Sequence, residues 1–536
     1  MPPSSSDDYP SNERNDCRSN ISFWRLLSDQ GILTQAVLHH EYPGLGVESD
    51  PYVVNWLEDD LRNPMNFSTR RKVSMTLATA FATLVVSLSS SAYAGSIEQV
   101  INTLHVSDVV ATLGLSLFVL GFSLGPLIWA PLGEHVGRQI SFFISFLCLA
   151  AFTAGCAGAR DITTLLILRF CAGAVGSSPL TNAGGVVSDM FTAKQRGLAL
   201  CLFAATPYFG PSLGPIIGGF LAMNAGWRWV QILLGISSAV VWVTVALSVP
   251  ETYAPVLLRK RAQRLSHMTG KCYRSIFDIN RENQPMRKQL RKVFLRPWAL
   301  LFCEPIVLLL SLYAAIIYGT LYMLFAAFPF VFEETRGWNR GVSGLPFLGI
   351  MIGTVLGAFY TLYDNKRYIK AQKRAGGVAA PEERLQPCMV SSITIPVGLF
   401  WFAWTNFASI HWIVSIMALV PFGFGLILIY LGIVNYLIDS YTIFAASVLA
   451  AMSILRYLFG AIFPLFTPYM YRSLGVHWAS SIPAFLSTLC MPIPFLFYKY
   501  GPVVRKHCKY SALSQQHLDK LRRPPTRPRH DSEEEH

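Results

Sequence analysis

Long apolar stretches alternate with short polar ones along most of the chain. They run over 73–95, 109–131, 140–158, 162–187, 197–221 and 229–249, and again over 299–326, 343–362, 389–404, 413–436, 445–466 and 479–497. A helix needs about 20 residues at 1.5 Å each to cross a hydrocarbon layer of about 30 Å. The pattern therefore predicts an all-α membrane protein with twelve transmembrane helices in two six-helix halves. The stretch 389–404 is the shortest of the set. Polar segments set the expected organisation: a largely disordered N-terminal segment (1–71), a six-span half (72–249), a basic linker (250–297), a second six-span half (298–498) and a tail (499–536).

Composition supports lipid as the solvent. The 536 residues are 52% hydrophobic and 14% charged, where a soluble domain carries about a quarter charged residues. The net charge of +13 does not point to nucleic acid, because the basic residues flank apolar spans rather than forming one face. Basic residues crowd the segment from Arg259 to Arg296 and the loop from Lys366 to Arg384. The alternate loops carry only Arg160, Arg228, Arg336, Arg340 and Arg472. The positive-inside rule then puts both termini in the cytosol, so the sequons at Asn20 and Asn66 are expected to stay unglycosylated. No secretory signal peptide is visible. The ten cysteines show neither CxxC nor a Cys/His ligand spacing, so neither a metal site nor a disulfide framework is expected. No phosphate-binding loop of the G-x-x-x-x-G-K-[ST] type occurs, so no ATP site or other cofactor is expected and energy must come from an ion gradient.

Four short segments carry the chemistry. "APLGEHVGRQ" (Ala130–Gln139) is a tight turn between two spans, with glycines at Gly133 and Gly137, an acid at Glu134 and a base at Arg138. "LRFCAGAVGSSP" buries Arg169 well inside an apolar run; an arginine there costs at least about 2.5 kcal/mol, so it is functional by default. "SDMFTAKQRG" brackets the next turn with Asp189 and Arg196. In "GPSLGPIIGGF", Gly210, Gly214 and Gly218 recur every four residues and share one helix face, which permits close contact between spans. Pro211 and Pro215 kink that helix, and close packing shields the carbonyls they free.

These segments resemble motifs of the major facilitator superfamily. The first resembles G-x-L-A-D-R-x-G-R-[KR] through Gly137 and Arg138, with Glu134 in the acidic place; Ala130, His135 and Gln139 depart from it. Arg169 and Gly173 match R-x-x-x-G of the fourth span, which the family is thought to use in proton coupling. Gly210, Gly214, Pro215, Gly218 and Gly219 look like the fifth-span antiporter motif G-x-x-x-G-P-x-x-G-G, which separates exporters from importers. "DDLRNPMNFSTRRK", "GWRW", "PETYAPVLLRKRA", "EPIVLLLSLYAAIIYG", "RGWNRGVSGLPFLGI" and "LRYLFGAIFPLFTPYMYRSLGVHWA" extend the similarity over roughly residues 55–505. They resemble the fungal twelve-span drug:proton antiporters, close to the branch with polyamine and azole-drug transporters. That branch usually has Asn and Thr where Met452 and Ser453 stand.

The resemblance implies two halves related by an axis along the membrane normal, with substrate near the midplane. It implies a gate in which Glu134, Gly137, Arg138, Asp189 and Arg196 latch the cytosolic side, and coupling through Arg169. Ser89 on the first span and Tyr313, Tyr318 and Tyr322 on the seventh are candidate cavity residues. The first span has no acid between Val73 and Tyr93, which leaves Glu304, in "FCEPIVLLL", as the candidate proton carrier; Asp439 lies nearer a helix end. The expectation is a plasma-membrane exporter of small amphipathic organic compounds, working as a monomer on protons and one small-molecule substrate. A polyamine exporter, a nutrient uptake permease and a transporter-like sensor are the alternatives.

Overall fold

The computed structural model describes residues 22–191, 196–279, 286–374 and 379–522, and side chains there except at 196–202, 204, 286–290, 292–293 and 517–522. Helices carry the twelve apolar stretches, with breaks at Ser177, Glu304, 344–346 and Met491. In lipid there is no water to bond the backbone, and an α-helix satisfies its amides within one segment. The helices used below are α1 (Thr69–Ser91), α2 (Asp108–His135), α3 (Arg138–Ala157), α4 (Ile162–Gly176), α5 (Ser178–Met190), α6 (Arg196–Ala225), α7 (Trp227–Ser248) and α8 (Ala254–Thr269). They continue with α9 (Met286–Cys303), α10 (Pro305–Phe328), α11 (Phe347–Arg374), α12 (Gln386–Trp404), α13 (Trp412–Ser440), α14 (Ala445–Cys490), α15 (Pro492–His507) and α16 (Lys509–Arg522).

Among the described residues ten helical runs are long and apolar enough to cross a membrane. The run Thr442–His507 carries two of the twelve stretches, parted where Gly475 turns to φ 74° inside α14. The stretch 197–221 lies on α6. The fourth span is broken at Ser177 into α4 and α5.

The chain divides into two units, Met1–Arg291 with Arg340–Gly344, and Lys292–Asn339 with Leu345–His536. In the first, α6 lies along α1, α2 along α4 and α3 along α7. The α2–α3 turn is tight because Gly137 adopts φ 112°, a region open to glycine and strained for other residues. In the second unit, α10 lies along α14, and α11 and α12 both flank α13.

Two expectations are corrected. The N-terminal segment is folded from residue 22 on; residues 1–21 lie outside the described ones. Strand β1 (Tyr52–Val54) pairs in parallel with β2 (Tyr273–Ser275). Val37, Tyr42 and Val54 pack on Leu258, Ala262 and Leu265 of α8. Apolar residues in the first seventy positions are too sparse to form a core alone, and their partners lie about two hundred residues downstream. The buried ion pair of Arg261 Nη1 with Asp60 Oδ2 (2.5 Å) ties the two segments together. The second correction concerns the seventh span. It starts at Pro305, and Glu304 is an extended residue (φ −115°, ψ 103°) between α9 and α10 rather than a residue inside the span. The clash of a proline ring with the residue before it disfavours helical geometry there.

Candidate functional site

The site in the first unit is built around Arg169, which is 1% exposed. Its Nε donates to the Gly114 carbonyl at 2.8 Å, and both terminal nitrogens reach the Ser89 carbonyl at 3.4 Å. The guanidinium sits 4.5 Å from the ring centre of Tyr93 and 4.7 Å from that of Phe118. One charged hydrogen bond contributes about 1.5–3 kcal/mol and a desolvated cation–π contact about 2 kcal/mol. Together they offset the insertion cost of the charge. The Tyr93 hydroxyl is in turn fixed by donation to the Ala111 carbonyl at 3.0 Å. Gly173, one turn along α4, lets α2 approach: a Cβ there would overlap the Phe118 carbonyl.

Of the two carbonyls that hold Arg169, Gly114 belongs to α2 and Ser89 to α1, and the adjoining face of α1 meets the glycine face of α6. A Cβ on Gly210 would lie 2.7 Å from the Leu88 amide, and one on Gly214 2.7 Å from the Ala92 amide. A Cβ on Gly218 would overlap the Ala92 carbonyl. Gly219 faces elsewhere, with its Cβ site 2.8 Å from the Arg340 carbonyl. Pro215 continues α6 without ending it. The stretch Ser87–Tyr93 is thus packed between the arginine of α4 and the glycines of α6. Ser89 itself is fully buried and its hydroxyl donates back to the Val85 carbonyl at 2.8 Å. It enters the site through its backbone.

At the α2–α3 turn, Arg138 donates to Asn182 Oδ1 at 2.9 Å and to Asp189 Oδ2 at 3.4 Å, both on α5. It also stacks 5.0 Å from the Tyr253 ring. Glu134 is exposed and forms no ion pair among the described residues. Arg196 opens α6, and its side chain lies outside the described residues. The carboxylate that organises the turn is Glu251, which sequence reasoning missed. It is fully buried and accepts four backbone amides: Arg138 (3.0 Å), Gln139 (3.1 Å), Thr252 (3.0 Å) and Tyr253 (2.9 Å). An anion at the first turn of α3 satisfies free amides and the positive end of the helix dipole. A Cβ on Gly137 would overlap this carboxylate. The signal was an acid directly after the last apolar residues of a span, in "VPETY". Arg62, 1% exposed, donates to the Glu251 carbonyl at 3.1 Å, and burial pulls its pKa down to about 10.

The second unit holds another buried arginine. Arg456 on α14 is 4% exposed and sits 4.9, 4.7 and 4.7 Å from the rings of Tyr318, Tyr430 and Tyr457. Its Nη2 donates to the Tyr457 hydroxyl at 2.8 Å. Tyr318 and Tyr322, one turn apart on α10, are linked hydroxyl to hydroxyl at 3.3 Å. Tyr313 is fully buried, and its hydroxyl has no partner among the described residues. Met452 is buried one turn before Arg456.

Glu304 is fully buried at the start of α10. It accepts the Tyr441 hydroxyl at 2.8 Å and the Tyr510 amide of α16 at 3.0 Å. Asp439 pairs with Arg384 at 3.0 Å. Among the described residues no cluster of His, Cys, Asp or Glu has the makings of a metal site.

A family model described as Major Facilitator Superfamily matches residues 79–464. The "Major facilitator superfamily multidrug transporter mdrA" of Aspergillus fumigatus is 59% identical over 94% of the chain and 82% of its own length. The "MFS-type efflux pump MFS2" of Trichophyton rubrum is 56% identical, over 94% and 84%. Among solved structures, a partially occluded inward-open form of the xylose transporter XylE from E. coli superposes with a TM-score of 0.57 at 15% identity, covering 81% of this chain and 98% of that one. At that identity the likeness speaks for the fold.

Proposed function

The chain belongs to the major facilitator superfamily, among its fungal drug-efflux transporters, and from that premise we propose that it exports small amphipathic organic compounds in exchange for protons. The observation that carries this reading is the glycine face of α6 packed on α1, where the backbone approach leaves no room for a Cβ at Gly210, Gly214 or Gly218. This is the segment whose motif marks exporters, and two relatives bear the names of a multidrug transporter and an efflux pump.

The proton coupling runs through Arg169. A guanidinium keeps its proton, so Arg169 acts as a fixed charge that orders a bound water as the proton's carrier, and its position links that water's access to the packing of α1 against α6. Glu304, bonded by the Tyr441 hydroxyl and the α16 amide, anchors that helix. The Arg138–Asp189–Asn182 set with Glu251 closes the cytosolic end of the first unit. The protein works as a monomer in the plasma membrane with both termini in the cytosol.

Arg456 and its tyrosines favour flat compounds that are neutral or anionic. Polyamines have no flat face to lay against the rings of Tyr318, Tyr430 and Tyr457. The test is drug accumulation in an efflux-deficient yeast expressing the protein. Accumulation should fall on expression and recover with a protonophore, with azoles and planar dyes affected and spermidine not. Unchanged accumulation of every compound tried would remove the exporter reading.

A further inference from the structure

A cleft at the basic end of the first unit is lined by chemistry that the transport reading does not use. Its volume is about 690 Å³, and its walls include Gln30, Gln139, Lys260, Gln263, Arg264 and His267. On α8, Lys260, Gln263, Arg264 and His267 follow the i, i+3, i+4, i+7 rhythm of one helix face. The opposite face of α8, with Leu258, Ala262 and Leu265, is locked into the small extramembrane core. The basic face therefore has a fixed aim. Lys260 and His267 are exposed. Arg264 spends part of its charge on Asp29 at 2.7 Å, which is also in the cleft wall.

Next to it lies a second groove of about 430 Å³, sharing Ser28, Gln139 and Ile140 with the first. Its other walls include Trp24, Leu27, Phe143 and Val245. Ile140 and Phe143 belong to the first turns of α3, and Val245 to the last turn of α7. The groove is thus at the level where two spans leave the bilayer. Trp24, 63% exposed, stands there beside Phe143, 42% exposed. An amphipathic indole at that level suits a membrane interface. The short helix Phe23–Ser28 is held in place by Gln139 Nε2 donating to the Leu27 carbonyl at 3.0 Å. Gln30 Nε2 donates to Gln139 Oε1 at 3.2 Å, and the buried Gln30 Oε1 has no donor among the described residues.

We propose that the two grooves form one site for an anionic glycerophospholipid, with its phosphate and headgroup against Lys260, Arg264 and His267 and an acyl chain along Trp24, Phe143 and Val245. The order of the parts matches such a molecule: a cationic cleft for the phosphate, an amide oxygen seeking the hydroxyl or amine donor of a headgroup, then an apolar groove opening toward lipid. A soluble anion would leave the apolar groove empty, and a neutral lipid would leave the basic stripe unpaired. The site rests on this end of the unit lying at a membrane surface, not on the transport direction. Bound lipid would bridge α8, the Phe23–Ser28 helix and the start of α3.

The test uses the full-length protein purified in detergent and titrated with defined lipids under native mass spectrometry. Phosphatidylinositol is expected to bind at least about tenfold more tightly than phosphatidylcholine of the same acyl chains, because basic residues near a headgroup favour the anionic lipid. The double variant Lys260→Glu/His267→Glu should lose that preference; neither side chain has a described partner, so the fold should persist. Trp24→Ala/Phe143→Ala should weaken both lipids alike. Glycerophosphoinositol, which lacks acyl chains, should not displace the lipid. Equal binding of the two lipids, an unchanged preference in the charge-reversed variant, or full displacement by the chain-free headgroup would each overturn the proposal. A protein that prefers phosphatidylinositol but exports nothing would leave this site standing and remove the transport reading.

Discussion

Arg169 and Arg456 are both charged residues inside apolar helices, both below 5% exposed, one in each unit. Their surroundings differ in kind. Arg169 lies against the rings of Tyr93 and Phe118 and gives hydrogen bonds to backbone, the Gly114 and Ser89 carbonyls. Arg456 is held by side chains, three tyrosine rings and one hydroxyl. A carbonyl moves only when its helix moves, so Arg169 reports the positions of α2 and α1. A tyrosine changes rotamer or exchanges its hydroxyl partner locally, so the Arg456 cluster is suited to adapting to a ligand. On this account the first arginine carries coupling common to all substrates, and the second carries selectivity among them.

The largest expected effect breaks the first environment from behind. Gly218→Leu would force a side chain into the carbonyl of Ala92, the residue directly after α1, and overpacking a tight contact costs about 1–3 kcal/mol or more. Displaced, α1 would carry the Ser89 carbonyl away from Arg169. The variant should reach the membrane, as judged by surface labelling, yet export nothing. Normal export by correctly inserted Gly218→Leu would separate the α6 face from the arginine.

How far the molecule was legible in its sequence follows from the same pair. Twelve apolar stretches and the glycine spacing of α6 could be read, because span length and helix periodicity are local properties. The Gly137–Arg138 turn could be read for the same reason. Partners could not: Ser89 looked like a cavity hydroxyl, whereas its hydroxyl bonds its own helix and its carbonyl holds Arg169. Tyr318 and Tyr322 were candidate cavity residues, but Arg456 and Tyr457 come more than a hundred residues later. Glu251 escaped because an acid at a span end is ordinary until α3 is seen to point its amides at it. Residues 22–66 looked unstructured because their core is completed by α8.

Arg169→Lys should have the next largest effect. It keeps the charge and loses the planar donor set, a loss of about 1.5–3 kcal/mol. That corresponds to roughly ten- to a hundredfold in rate. Because the coupling is common, every exported compound should be slowed by the same factor in cell accumulation assays. Unequal slowing would make Arg169 a selectivity residue and erase the contrast.

Tyr457→Phe should be milder and selective. It removes the hydroxyl that accepts from Arg456 Nη2 and keeps the ring. Growth-inhibition profiles across azoles and dyes should shift a few-fold for some compounds only, the low end, about 1 kcal/mol, of the cost of an unpaired buried group. A uniform loss would place Arg456 in the same class as Arg169.

Glu304→Gln should change transport least. It weakens the bonds from Tyr441 and from the α16 amide. Thermal melting should drop by about 2–4 °C for each kcal/mol lost, while gradient-driven export stays within about twofold of wild type. Retained exchange at equal pH with loss of gradient-driven export would instead make Glu304 the proton carrier.

The coupling itself is tested most directly in proteoliposomes loaded to an acidic lumen and given an exported compound outside. The account predicts that wild-type protein concentrates the compound in the lumen, that a protonophore collapses the accumulation, and that Arg169→Lys falls behind for every compound by the same factor. Accumulation that ignores the pH gradient, or Arg169→Lys vesicles that concentrate the compound as well as wild type, would contradict it.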